Sequence, residues 1–567
     1  MSVNTPWIKN YGDVKFNLEY PQTTMSEQVL SIADSKPYGI ALSFMGRNIK
    51  YSTLANMIHK CAKSFASIGV KSGDCVTLCM PNIPQIVYAL YALNLIGASV
   101  SVIHPLSSET EIIYYLKETN SKMVVTLDMF CDKLLKVNER YNLDKLVVGS
   151  IADELSIVMN IGYKLTKGRA IKKIDYNDAV MSWNDFIDSG KEFTNDYKNK
   201  MDLDDTAVIL FSGGTTGVSK GVELTNRNFN CLAFQTAEMS HCDVANMSML
   251  AAMPMFHGFG LGVCVHTLLA VGGRSILVPQ FTAKEYCNLI KTQKPNFIAG
   301  VPTLFEAICS NEILDGVDLS FLKGVFSGGD SLPVDLKKKF DKFLEEHGSS
   351  TRIREGYGTT ECVTASCLTP YINEREGSIG LPFPDTYYKI CEIGTSREVE
   401  YGQFGEICIS GPTVMKGYLN HEEETANTLE THEDGKVWLR TGDLGSMDQD
   451  GYVYFKQRIK RMIITSGYNV YPSQIENILN DHESVFMSCV IGVPDKYKIQ
   501  KIKAVVILNK GYEPNDETRQ NLIEYCKKHI AKYAMPYDIE FRTSLPTTKV
   551  GKIAYGELEK EFNSVTE

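Results

Sequence analysis

The stretch FSGGTTGVSKGVELTNRN, Phe211 to Asn228, places four glycines, four hydroxyl residues and one lysine in its first eleven positions. Glycines permit positive φ and close approach of the backbone to a ligand, so successive N–H groups can line an anion site. The hydroxyls of Ser212, Thr215, Thr216 and Ser219 and the ammonium of Lys220 add donors, a set that suits polyphosphate better than a neutral ligand. Upstream, Asp204 to Phe211 (DDTAVILF) is β-branched and apolar and predicts a buried strand. Downstream, Thr225 and Asn226 are cap residues, so the loop is expected to join strand to helix. It is not a Walker loop: that pattern needs glycine before the lysine and a hydroxyl after it, whereas Ser219 precedes Lys220 and Gly221 follows. Taken alone, the stretch has a weaker alternative reading as a flexible surface turn.

The rest of the chain bounds the reading. With 567 residues, several subdomains are expected, and 44% hydrophobic and 22% charged residues describe an ordinary globular composition. A net charge of −10 argues against general nucleic-acid binding. The fifteen cysteines form no C-x-x-C pair and the ten histidines no H-E-x-x-H, so neither a disulfide framework nor a zinc site is indicated and a cytoplasmic protein is expected. The N-terminus lacks the basic-then-apolar order of a signal peptide. Ile86 to Ile103 is uncharged, but Pro84 can open a helix, Asn94 and Gly97 interrupt the run, and ASVSVI alternates as a strand does. A helix followed by a strand is predicted there, not a membrane span.

CVTLCM (Cys75 to Met80), KMVVTL (Lys122 to Leu127), AVILF and RSILVPQF read as short buried strands spaced by helices, the cadence of layered α/β architecture with parallel sheets. From about Arg458 the texture changes, and a small α+β domain of strand pair (SCVIGVPD, IKAVVILN) and helix (near Asn521 to Ile530) is predicted.

Five further stretches carry polar groups: MPMFHGFGLG with His257, FSGGDSLP with Gly328, Gly329 and Asp330, REGYGTTE from Arg354 to Glu361, WLRTGDLG with Asp443 in an expected tight turn, and LPTTKVGKI with Lys552. In this order and spacing, from about Tyr51 to Leu558, the sequence resembles the adenylate-forming superfamily, specifically acyl-CoA synthetases related to 4-coumarate and fatty-acid CoA ligases. It departs at Ser219, where proline is common before the lysine, at Asp330 in the adenine turn, and at Ala554-Tyr555, where an arginine often follows GKI. The resemblance implies a large N-terminal domain (1–457), a hinge (458–460) and a mobile C-terminal domain (461–567), with ATP, Mg²⁺ and CoA as cofactor and cosubstrates. It implies that Ser212, Gly213, Gly214, Thr215, Thr216, Gly217 and Lys220 hold the β- and γ-phosphates. Gly328, Gly329, Asp330, Tyr357 and Gly358 would form the adenine site, with Tyr357 stacking on the base. Thr360 would bind the α-phosphate, Glu361 Mg²⁺, Asp443 the ribose hydroxyls, and Arg458 ribose or phosphate. Lys552 would bridge carboxylate and α-phosphate in the first half-reaction. Rotation about Lys460 would then bring the strand around Gly467 and Tyr468 to the site for the second.

His257, between Phe256 and Phe259, is by type a core residue; the resemblance places it beside the substrate carboxylate. Gly258, Gly260 and Gly262 either open a pocket wall for an acyl chain or permit close helix packing. For the substrate, Ser150 to Ile174 is the telling segment: Leu155, Val158, Met159, Gly162 and Leu165 recur at helical spacing, and Lys164, Lys167, Arg169, Lys172 and Lys173 follow. Such a helix can lie on an anionic membrane, or pack on the protein with a solvated basic tail. It also resembles an insertion of bacterial long-chain acyl-CoA synthetases. A medium- or long-chain fatty acid is therefore expected, ahead of an aryl acid or a freestanding ligase that loads a carrier protein.

Overall fold

The computed structural model describes residues 3–156, 159–160, 162–163, 171–199, 201–212, 219–280, 282–465, 468–495, 497–548 and 553–563. Two large sheets dominate. The eight-stranded sheet carries a parallel run of Cys75–Cys79, Ser99–Val102, Met123–Leu127, Lys145–Gly149, Val180–Ser182 and Thr206–Phe211. The nine-stranded sheet carries a second parallel run that includes Ser248–Ala251, Arg274–Leu277, Phe297–Gly300, Gly324–Ser327 and Ile353–Tyr357. One hydrophobic core joins both sheets to the helices Met25–Ser35, Tyr51–Ser67, Pro84–Leu95 and Asn226–Met239. Pro84–Leu95 is buried at every position, which accounts for its lack of a polar stripe, and the strand Ser99–Val102 follows it as expected. No helix among the described residues is long and apolar enough to cross a membrane.

The glycine-rich loop departs from the sequence reading. It joins Thr206–Phe211 to an antiparallel strand, Gly221–Thr225, and only then does the helix Asn226–Met239 begin. Val222 and Leu224 face the core while Glu223 accepts from the Thr206 hydroxyl at 2.8 Å, a period-two alternation short enough to be hidden by the cap residues behind it. Thr225 is the cap, its hydroxyl accepting the Asn228 N–H at 3.2 Å. Asn226 instead lies in the first turn and its carbonyl oxygen accepts from Met25 N–H and the Asn94 amide.

An antiparallel sheet of Tyr387–Cys391, Gly405–Ser410, Leu429–Thr431, Val437–Met447 and Val453–Arg458 completes the large domain. Past the single turn Ile459–Arg461, a small α+β domain has its own sheet and its own core of Ile475, Leu479, Val490, Ala504 and Leu522. Its long strands Val485–Asp495 and Ile499–Leu508 are antiparallel, as the sequence indicates. The following helix runs Asp516–His529, earlier than expected, because the Asn515 side chain accepts the Thr518 N–H and caps it there. In the segment 150–174, Ile151–Glu154 forms a turn in which Glu154 is buried against Arg47 at 2.8 Å, and Leu155 joins the main core. Val158, Lys164, Leu165, Lys167 and Arg169 lie outside the described residues.

Candidate active site

The parallel pairing of Gly324–Ser327 with Ile353–Tyr357 brings the ends of two motif strands side by side, so that FSGGDSLP and REGYGTTE leave the same edge of the sheet. Gly328 donates its N–H to Gly300 at 3.0 Å, and Gly329 takes φ +85°, which turns the chain away from the sheet. A Cβ on Gly358 would lie 1.9 Å from the Thr364 carbonyl oxygen, so only glycine fits there. Asp330 is exposed and its carboxylate accepts the Ser331 N–H. Beneath this turn Glu355 accepts the Leu332 N–H at 2.9 Å, and burial pushes its carboxyl up to about 7.

One side of the site rests on three residues. Asp443 is not in a tight turn but inside the strand Val437–Met447, opposite Arg458 of the neighbouring strand. What resembles a turn in T-G-D is an irregularity: Gly442 has φ +69° and the pairing with Gly405–Ser410 shifts register between Glu406 and Cys408. Asp443, 1% exposed, receives the Tyr357 hydroxyl at 2.6 Å and Arg458 Nε at 3.0 Å. Burial, then the Asp443 charge, raises the Tyr357 phenol well above its ordinary value, so it remains a donor. Burial works against the charge on Arg458, but Asp443, Tyr357 and Glu361 more than offset it. The Arg458 side chain stays 48% exposed, so the cluster has a solid floor and an open face.

On the other side stand Ser212, Lys220 and Glu361, each half-buried; Gly213, Gly214, Thr215, Thr216 and Gly217 lie outside the described residues. Ser212 N–H donates to the Lys220 carbonyl at 2.9 Å and closes the loop at its base. A two-residue strand, Gly417–Tyr418, pairs with Gly221–Thr225, and Met415 N–H donates to the Glu361 carbonyl at 2.8 Å. These links place Lys220, Glu361 and Tyr418 together: the Tyr418 hydroxyl donates to Glu361 Oε1 at 2.8 Å, and Lys220 Nζ lies 5.0 Å from the Tyr418 ring centroid. Thr360 opens the single turn Thr360–Cys362, and Thr359 caps it. Val363, next in the chain, has φ +65°, a strained conformation for a β-branched residue.

That strain has a neighbour. The Val363 carbonyl lies where a Gly258 Cβ would come, at 1.7 Å, so the histidine loop and the Thr360–Cys362 turn touch backbone to backbone. A Cβ on Gly260 would come within 2.2 Å of the Met253 and Pro254 carbonyl oxygens, and one on Gly262 within 2.7 Å of the Leu232 side chain. Close packing therefore requires these glycines. His257 is half-buried, and its Nδ1 accepts the Phe259 N–H at 3.1 Å, so in the neutral ring the proton sits on Nε2. Phe259–His266 then winds as a π-helix, a form often met at functional sites.

In the small domain Lys460 is exposed within the turn Ile459–Arg461, and Tyr468 belongs to the strand Tyr468–Val470. Gly467 and Lys552 lie outside the described residues. Thr547 and Ile553 form a β-bridge on either side of 548–552, and Ala554 N–H donates to the Pro546 carbonyl at 2.8 Å.

With this geometry in place, the pattern of the AMP-binding enzymes matches residues 31–419, and that of the AMP-binding enzyme C-terminal domain residues 474–552. The chain belongs to the AMP-binding enzymes. It is 33% identical to a long-chain-fatty-acid–CoA ligase of Bacillus subtilis over 99% of both chains, and 32% identical to one of Yersinia pestis over 87% of this chain and 86% of that one. Among solved structures, ATP-bound MatB from Rhodopseudomonas palustris superposes with a TM-score of 0.81 at 22% identity, covering 96% of this chain and all of that one. An anthranilate CoA ligase in complex with anthranoyl-AMP gives 0.81 at 22% over 98% and 99%. These two likenesses establish the layered α/β fold with its small C-terminal domain.

Sequence reading of this AMP-binding enzyme missed Tyr418 and Glu424. Glu424 lies 3.6 Å from Lys220 Nζ. The available signal was the alternation in K-G-Y-L-N that makes a short strand; its partners lie far away in sequence and no motif points to them.

Proposed function

We propose that the chain is an AMP-forming acyl-CoA ligase that activates a medium- or long-chain fatty acid as its acyl-adenylate and transfers the acyl group to CoA. The observation that carries this reading is the proximity of two chemically distinct clusters, Arg458 of one feeling the charge of Glu361 in the other. Tyr357, Asp443 and Arg458 offer an aromatic face, an acceptor and a cation. Lys220, Tyr418 and Glu361 offer a cation beside a carboxylate. The names of the relatives, long-chain-fatty-acid–CoA ligases, support the substrate class.

A carboxylate is a poor acyl donor because its charge repels nucleophiles. One oxygen of the substrate carboxylate attacks the α-phosphorus of ATP and pyrophosphate leaves; the CoA thiolate then attacks the acyl carbon and AMP leaves. Asp443 accepts the ribose hydroxyls, Tyr357 packs on adenine above Gly358, and Gly328 and Gly329 let the base approach the backbone beside Asp330. Ser212, Gly213, Gly214, Thr215, Thr216, Gly217 and Lys220 hold the β- and γ-phosphates. Thr360 and Arg458 face the α-phosphate, and His257 orients the substrate carboxylate with its Nε2 proton. The Glu361 carboxylate is a hard oxygen ligand, oriented by Tyr418, and fits Mg²⁺, which when bound would neutralise phosphate charge. Residues 1–457 form the large domain and 458–460 the hinge. Residues 461–567 form a domain that presents Lys552 for adenylation and, after rotation about Lys460, the strand at Gly467 and Tyr468 for thioester formation.

A CoA-dependent AMP-release assay across acetate, aryl acids and fatty acids of graded length tests this. Turnover is expected to rise with chain length. Release of ADP and phosphate instead of AMP and pyrophosphate would refute the mechanism, and a preference for aryl acids the substrate class. We further propose contact of 150–174 with anionic membrane. Met159 is 43% exposed there, although Lys172 is 2.5 Å from Asp132 and Leu155 is buried. Replacing Lys164, Lys167, Lys172 and Lys173 with glutamine should weaken binding to anionic vesicles and spare turnover of soluble short acids; unchanged vesicle binding removes that contact.

A further inference from the structure

We propose that Tyr418 is a positioning residue that couples the lysine of the glycine-rich loop to the Glu361 carboxylate, so that triphosphate and divalent cation are received as one ligand. The proposal rests on the reading of Lys220 and Glu361 given above.

The backbone at Tyr418 is held from both sides. Lys416 N–H donates to Glu223 at 3.0 Å, Leu419 N–H to Gly221 at 2.8 Å, and Tyr418 N–H to the Thr425 hydroxyl at 2.8 Å. Its pairing partner is Val222, two residues past Lys220, so the ring and the lysine share one rigid frame. From that frame the hydroxyl reaches Glu361 Oε1 at 2.8 Å. A hydrogen bond to an ionised carboxylate is short and directional and holds the carboxylate in one rotamer.

The face of the same ring receives Lys220. Nζ lies 5.0 Å from the centroid, within the range of a cation–π contact, and 3.6 Å from Glu424 Oε1. Glu424 also lies 3.5 Å from His421, which is 3.2 Å from Glu118. Lys220 thus has two partners of different kinds. An incoming triphosphate competes with the Glu424 carboxylate for the ammonium but leaves the ring contact in place. Tyr418 is the only one of these partners that touches Glu361 as well, among the described residues. A phosphate group drawn to Lys220 is therefore delivered at a fixed distance from the carboxylate that meets its cation.

Two substitutions separate the two arms. Tyr418→Phe removes the hydroxyl and keeps the ring; Tyr418→Leu removes both. Binding of ATP to the full chain is measured calorimetrically without turnover, once in EDTA and once across a Mg²⁺ titration, with thermal unfolding of each variant alongside. Tyr418→Phe is expected to leave ATP affinity in EDTA unchanged and to raise the Mg²⁺ concentration needed for half-maximal enhancement about tenfold. Tyr418→Leu should show the same loss and also weaken ATP in EDTA about threefold. The proposal is overturned if Tyr418→Phe responds to Mg²⁺ as wild type does, or if it weakens ATP equally with and without the cation. Glu361→Gln is the control: if it leaves the Mg²⁺ response unchanged, the reading of Glu361 and the proposal fall together. If it abolishes the response while Tyr418→Phe does not alter it, the proposal alone falls.

Discussion

On either side of Lys460 an arginine grips an acid and a tyrosine, yet the two clusters are built for opposite ends. Arg458 meets Asp443 at 3.0 Å, with Tyr357 donating to the same carboxylate. Arg461 meets Glu476 at 2.7 Å, with the Tyr555 ring centroid 3.4 Å from its guanidinium carbon. The first cluster leaves the arginine 48% exposed on the cleft; in the second the arginine is 14% exposed and the glutamate 10%. Glu476 also accepts the Val490 N–H at 2.8 Å, which welds it to the long strand of the small domain. The same residue types thus leave one face open in the first cluster and form a structural clamp with every face filled in the second. The hinge proposed about Lys460 would then be a joint with a firm anchor at each end.

The comparison breaks most visibly if the two sides of the joint do not serve different half-reactions. Lys552→Ala, in the domain held by the closed clamp, is expected to slow acyl-adenylate formation about a hundredfold or more, the scale of losing a charge-stabilising donor. Conversion of supplied acyl-adenylate and CoA to thioester should stay near wild type. Single-turnover kinetics of each half-reaction check this; equal slowing of both would end the alternation reading.

Next in size is the open cluster. Asp443→Ala removes the partner of both Tyr357 and Arg458, and ATP affinity is expected to fall about thirtyfold. The small domain should be untouched, since its core shares no residue with this cluster. Isothermal binding of ATP, together with hydrogen exchange in the strands 485–495 and 499–508, reads both halves of the statement. Protection lost in those strands would show that the clusters are not independent.

The closed cluster should answer in the reverse sense. Tyr555→Leu keeps apolar volume and removes the ring beneath Arg461, at a cost of about 2 kcal/mol to the small domain, the worth of a desolvated cation–π contact. ATP affinity should not change. Equilibrium unfolding followed by small-domain exchange gives the first quantity and calorimetry the second; a fall in ATP affinity without a loss of stability would place Tyr555 in the nucleotide site.

These contrasts also show what a sequence carries. Buried strands such as Met123–Leu127 and Thr206–Phe211 are legible because strands in parallel sheets are covered on both faces and so are apolar throughout. The strand Gly221–Thr225 was hidden, since five residues of G-V-E-L-T sit between a glycine loop and a cap and offer one alternation. Asp443 was placed in a turn because T-G-D has turn chemistry, while the cross-strand partners that extend the strand through it, Glu406 and Arg458, are non-local. Gly258 illustrates a third limit. Its need for glycine is set by the carbonyl of Val363, over a hundred residues away, and nothing local distinguishes it from a pocket-wall glycine. Arg461 and Glu476 stood outside every motif, and Tyr555 stood out only as a departure after GKI, for the same reason: a clamp is defined by its contacts, and its residue types are ordinary.

The smallest expected effect tests whether the clamp is as closed as its geometry indicates. Burial raises the Glu476 carboxyl above its ordinary value, and the Arg461 charge lowers it again without cancelling the rise. Its folded value therefore lies above that in the unfolded chain, about 4.3. Between those two values the folded protein holds the proton more tightly than the unfolded one, so this group's contribution to stability is full at the acid end and is lost as pH rises through the window. Glu476→Gln removes the titration while keeping the shape and an acceptor for the Val490 N–H. Below the window both side chains are neutral, so the variant and the wild type should be about equally stable there. The variant should overtake the wild type as pH rises through the window, since only the wild type loses stability across it. Denaturant unfolding of both proteins at several pH values measures the gap. A variant that instead falls behind the wild type as pH rises would mean that the Arg461 charge dominates burial and that Glu476 titrates below its unfolded value. The clamp would then be an electrostatic pair open to water, closer in kind to the Asp443 cluster than the two exposures suggest.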